Sequence, residues 1–168
     1  SSDVCSSDLG DTQLPKKRAG ITATEAGAGK ADQLAKAQEA YLDALAKNAL
    51  EAEKMLASQR EALLARFHAQ GLIGEKDYAE ARQAVLSEAY QAEAKLMDAN
   101  IQRAQAELKG KAKGSKEYFD AMKGLTEAQG QRNKLDDEFR AKSLNIYLDA
   151  VDGAQKYADK RSEEHTSE

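Results

Sequence analysis

Phe67-His68-Ala69-Gln70-Gly71-Leu72-Ile73-Gly74-Glu75-Lys76-Asp77-Tyr78 places a helix stop and a helix start within a few residues of each other, and its reading decides the fold. Gly71 suits the left-handed conformation that ends a helix, because it has no Cβ to clash. Leu72 then falls where a Schellman motif lays an apolar residue back on Phe67. Gly74 suits the N-cap of a second helix, with Asp77 at its third position placed to bond back to the cap amide as in a capping box. Ile73 and Tyr78 have the spacing of a hydrophobic staple. Glu75 and Asp77 also sit at the positive end of the new helix dipole. A link this short fits a tight reversal or a sharp kink, and short connections favour antiparallel neighbours, so a reversal is expected. Phe67, Gly71, Leu72, Ile73, Gly74, Asp77 and Tyr78 are therefore the candidate hinge residues.

Outward from the hinge, helical periodicity continues in both directions. Leu34, Tyr41, Leu45, Ala49, Ala52, Leu56, Leu63 and Phe67 recur at steps of three, four and seven, which predicts a helix over about 32–70 with these residues on its packed stripe. Leu86, Tyr90, Met97, Ile101, Ala104 and Leu108, entered by Tyr78 and Val85, predict a second helix over 75–109. Gly110 to Gly114 break the pattern, and Ser115 offers an N-cap oxygen. A third helix over 116–158 carries Tyr118, Met122, Leu125, Leu135, Phe139, Ile146 and Val151. The tyrosines on these stripes, Tyr41, Tyr78, Tyr90, Tyr118 and Tyr147, read as core or interface residues with the hydroxyl at the rim. Gly10 to Lys30, with Pro15, a Lys16-Lys17-Arg18 run and Gly20, Gly27 and Gly29, reads as a flexible linker.

The two ends have a different character. Arg161 to Glu168 back-translates as AGATCGGAAGAGCACACGTCTGAA, and the reverse complement of that string, read from its second base, encodes Ser2 to Leu9. The ends are antisense to each other and resemble translated sequencing adapter flanking a short insert. Residues 1–9 and 161–168 are accordingly set apart as artefacts expected to be disordered, and 10–160 as an internal fragment of a longer protein. Without the tails, the 25 basic residues lose Arg161 and the 29 acidic residues lose Asp3, Asp8, Glu163, Glu164 and Glu168, which leaves 24 of each. A net charge of zero carries no electrostatic footprint for nucleic acid.

Composition narrows the class further. Ala, Glu, Lys, Gln, Leu and Arg dominate, Trp is absent and Pro15 is the sole proline. This is long-helix composition with few large apolar groups to bury. It predicts an all-α chain of long antiparallel helices, a helical hairpin or thin three-helix bundle of coiled-coil-like character, extended in its working state. No apolar run reaches the roughly 18 residues of a membrane span.

Residues that suggest chemistry each have a plainer reading. Gly27-Ala28-Gly29-Lys30 is part of a phosphate-loop pattern, but that pattern needs Gly where Thr24 stands and Ser or Thr where Ala31 stands. His68 lies in the last turn of the first helix, with no second His or Cys nearby to make a metal site, and reads as a surface residue. Asp136-Asp137-Glu138 are consecutive on a helix and point in different directions, so they read as a solvated face. Lys109, Lys111, Lys113 and Lys116 compensate helix ends around a loop. The chain is read as non-catalytic, with no cofactor, no metal, no small-molecule substrate and no specific nucleic acid.

The stretch Gly71-Leu72-Ile73-Gly74-Glu75-Lys76-Asp77-Tyr78, with Arg82 after it, resembles the punctuation between helices in tail tape measure proteins of long-tailed bacteriophages. The Ala-, Gln- and Lys-rich helices on either side are similar to the same proteins, over about Ala31 to Lys160. Gly74 is a departure, since that family more often has Ser there. The resemblance implies a long helical structural protein, assembled in the host bacterial cytoplasm and carried in the virion tail. Its length sets that of the tail tube, and its partners are further copies of itself and tail tube or tail assembly proteins. The alternative is a coiled-coil interaction module of another large bacterial protein.

Overall fold

A computed structural model describes residues 24–167. They form three helices, α1 (Thr24–Ala69), α2 (Glu75–Lys109) and α3 (Lys116–Ser167), so the chain is all-α over its described residues. It divides into two compact units, Ser1–Ala46 and Lys47–Glu168. In the first, the described residues belong to α1, and Leu34, Tyr41, Leu42 and Leu45 are 60%, 65%, 61% and 47% exposed.

The second unit is built on the antiparallel pair α2 and α3, whose backbones approach within 8 Å between Cα atoms. Ala94 on α2 and Leu135 and Ile146 on α3 are its buried apolar residues. The small side chain of Ala94 lets the helices close, and the larger residues of both stripes pack half-buried around it. Leu86, Tyr90, Met97, Ile101, Ala104 and Leu108 lie on the packed side of α2, as do Tyr118, Met122, Leu125, Leu135, Phe139 and Ile146 on α3. No described side chain is fully buried, which is the thin core that the composition dictates.

The α2–α3 turn forms where the glycines stand. Gly110 caps α2, Gly114 adopts φ +84°, and Ser115 Oγ accepts a hydrogen bond from the Tyr118 amide at 3.1 Å while its hydroxyl donates to the Ala112 carbonyl at 2.7 Å. The serine thus closes both sides of its own turn.

Four expectations need correcting. The stripe assigned to α1 is not its packed face except at Phe67: Leu56 and Leu63 are 48% and 50% exposed, and from Lys47 onward the half-buried positions are Leu50, Ala57, Leu64, Phe67 and His68. Of the tyrosines, Tyr41 and Tyr147 are both 65% exposed, and Val151 is also exposed. Helix begins at Thr24, inside the expected linker, because Glu25, Ala26, Ala28 and Lys30 favour helix enough to carry Gly27 and Gly29 at about 1 kcal/mol each. Finally, α3 runs past 158 to Ser167, since no Gly or Pro follows Gly153 to stop it. Thr166 Oγ1 donates to the Ser162 carbonyl one turn back at 2.6 Å, so most of the tail set apart as disordered is helical. The expectations for 1–9 and 10–23 lie outside the described residues.

Candidate functional site

The link between α1 and α2 is where the sequence concentrates its conformational signals. Gly71 has φ +74°, its amide donates to the His68 carbonyl at 3.0 Å, and the Leu72 amide donates to the Phe67 carbonyl at 2.9 Å. These two bonds are the Schellman pair. Gly74 follows in extended conformation (φ −79°, ψ 171°), and its carbonyl accepts the first bond of α2 from the Tyr78 amide at 2.9 Å.

The side chains of the link depart from expectation. Leu72 is 67% exposed, so backbone hydrogen bonds close the helix and not an apolar clasp on Phe67. Asp77 is exposed and makes no capping-box bond to Gly74; the Glu75 carboxylate is turned back across the link to His68. Phe67, Ile73 and Tyr78 are half-buried. His68, read as a surface residue, is at the centre of the link: its Nε2 lies 2.7 Å from Glu75 Oε1, and its ring centroid lies 4.1 Å from that of Tyr78. A histidine in a last helical turn is ambiguous in sequence, because its value here comes from the reversal that brings Glu75 and Tyr78 back to it.

Two arginines extend the arrangement. Arg82, one turn beyond Tyr78, stands over that ring at 5.3 Å, donates to Asp149 on α3 at 3.0 Å and lies 3.9 Å from Glu61 on α1. Its buried Nε has no hydrogen-bond partner. Arg132 on α3 reaches Asp98 on α2 at 2.8 Å, the Tyr90 hydroxyl at 3.1 Å and Asp136 on its own helix. Tyr90 donates to Asp136 at 2.5 Å and stacks on Phe139 at 4.2 Å. The Tyr90 hydrogen bond, helped by Arg132, holds the Asp136 carboxyl below its usual range, and the same contacts raise the Arg132 guanidinium further above its own. Asp136 is therefore part of a cross-helix clamp, while Asp137 and Glu138 make exposed pairs with Arg140 and Lys134 along α3.

Between the helices lies a groove of about 500 Å3, floored by Leu86, Leu135, Phe139 and Ile146 and edged by charges of both signs, among them Lys54, Glu61 and Lys142. Among the described residues, no group of three or more His, Cys, Asp or Glu side chains is arranged to hold a metal ion. None of the described helices is long and apolar enough to cross a membrane. Gly27 to Lys30 are helical and present no phosphate-binding loop. No family model matches the chain, and no curated protein or solved structure matches it.

Proposed function

We propose that this chain is a structural, non-catalytic segment of a phage tail tape measure protein, which contributes length to the tail tube and works in self-associated, extended form within the virion. The observation that carries the reading is the combination of long helices with a thin core, interrupted by a glycine-marked link. Gly71 and Gly74 bound the reversal, and burial beside it is confined to half-buried side chains. Opening such a link costs little because few apolar contacts are lost, and a narrow tube favours extended chain over a hairpin. The exposed Leu56 and Leu63 favour a second reading, a coiled-coil interaction module of another large bacterial protein, because an apolar stripe left open by its own chain suits a partner helix. In-frame deletion of the segment from its parent gene, followed by measurement of virion tails, separates the two readings.

A further inference from the structure

Within Lys47–Ala69, α1 is tied to α2 by long side chains. Lys54 reaches Glu93 at 3.0 Å, Arg60 reaches Glu88 at 2.7 Å and Arg82 approaches Glu61 at 3.9 Å. Each pair has at least one partner about half exposed or more and holds weakly, and the groove beside Ala57 interrupts the half-buried Leu50, Leu64 and Phe67, so the helix has no continuous apolar seat. Undocking α1 therefore sacrifices little. The pairs also share a geometry: residues 54 with 93, 60 with 88, 61 with 82 and 68 with 75 are each centred between about 71 and 74. The centre of the pairing is the link itself.

We propose that a second copy of this chain binds by exchange of α1. The link opens, α1 and α2 become nearly continuous, and Lys47–Ala69 of each copy docks on α2 of the other. Exchange of an identical element makes the same contacts between copies that the hairpin makes within one, and a short connection promotes it. The occupant of this face of α2 is thus chosen by complementarity already present: Lys54 meets Glu93, Arg60 meets Glu88 and His68 meets Glu75, now across two chains. Because the pairing is centred on the link, a two-fold axis passes beside Leu72. That leucine, 67% exposed in the hairpin, then faces its counterpart and gains the apolar cover it lacks in one chain. The backbone change falls on the two glycines: Gly74 keeps its φ of −79° but must turn its ψ from 171° into the helical region, and Gly71 must leave its positive φ.

The inference rests on reading the chain as a self-associating helical segment but not on its assignment to a phage tail, so the two can fail separately. The test uses the full chain with Cys5→Ser, which removes the sole cysteine. Lys54→Cys and Glu93→Cys are placed on separate copies, and the two are unfolded and refolded together before treatment with a short bis-maleimide. Exchange predicts a cross-linked product of twice the 18.2 kDa chain mass containing one copy of each. Leu72→Asp should weaken its formation about tenfold or more, since two buried leucines are lost at the axis. The double variant Lys54→Cys/Glu93→Cys, cross-linked within one chain at high dilution, reports whether the helices still fold when Leu72 is changed. Intrachain product alone at every protein concentration overturns the proposal, as does a dimer by light scattering in which residues 54 and 93 never join between copies.

Discussion

A Cβ added at Gly153 of α3 falls 2.3 Å from Oε2 of Glu75, the carboxylate that pairs with His68 across the α1–α2 link. Gly153 is thus where α3 makes room for the first residue of α2. Gly153→Ala should gain about 1 kcal/mol of helix propensity while pushing the flexible end of Glu75 away from His68. The partly exposed pair it disturbs contributes a similar or smaller amount. The melting temperature should therefore move by less than about 5 °C, with a clear change in the His68 imidazole NMR signals. Unperturbed His68 signals would contradict this placement of Glu75.

The two glycines of the link should respond with opposite signs. Gly71→Ala forces a Cβ into positive φ and should cost about 1 to 2 kcal/mol, although the space around it is open. Gly74→Ser keeps an allowed φ and adds a capping oxygen, so a gain of a few tenths of a kcal/mol is expected. Chemical denaturation of the two variants measures both.

The asymmetry between these glycines was legible in the sequence, as were the turn at Gly110–Gly114, the Ser115 cap, the packed face of α2 and that of α3 as far as Ile146, beyond which Val151 is exposed. Glycines and caps act through local backbone geometry, which neighbouring residues specify. The packed face of α1 was not legible. Its strongest apolar stripe, through Leu56 and Leu63, is open, while the side toward α2 carries Lys54, Ala57 and Glu61. Periodicity says which residues share a face but not which face a chain covers with itself. The roles of His68, Arg82 and Arg132 were hidden for a related reason, since each joins partners that only the folded helices bring together. Two endpoints were not legible: Gly27 and Gly29 suggest a linker although each alone costs only about 1 kcal/mol, and the adapter-like tail after Lys160 has no apolar period to mark it as helix.

The clamp around Asp136 gives the protein a defined acid sensitivity. Its carboxyl is depressed by the Tyr90 hydroxyl and then by Arg132, so the charged form is favoured in the folded state. A depressed carboxyl contributes stability that is present above its ordinary value of 3.8 and is lost as pH falls through the lower folded value. Asp136→Asn should therefore lower the melting temperature near neutral pH, and the difference from wild type should shrink steadily below about pH 4. A difference that stayed constant down to pH 2 would show that Asp136 acts through packing alone.

Removal of Arg161–Glu168 should lower the helical circular dichroism signal while leaving the melting temperature within about 5 °C, because the side chains of Arg161–Thr166 are exposed. A larger loss of stability would assign this end of α3 a packing role that its exposure does not indicate.

The most direct measurement of the proposed role is the tail length of virions whose parent gene lacks residues 10–160. At 1.5 Å per residue, these roughly 150 residues span about 225 Å as extended helix. Electron micrographs should show tails shortened by close to that amount if the link opens and the segment sets length. Tails of unchanged length would contradict the length-setting role and leave the interaction module as the reading of this chain.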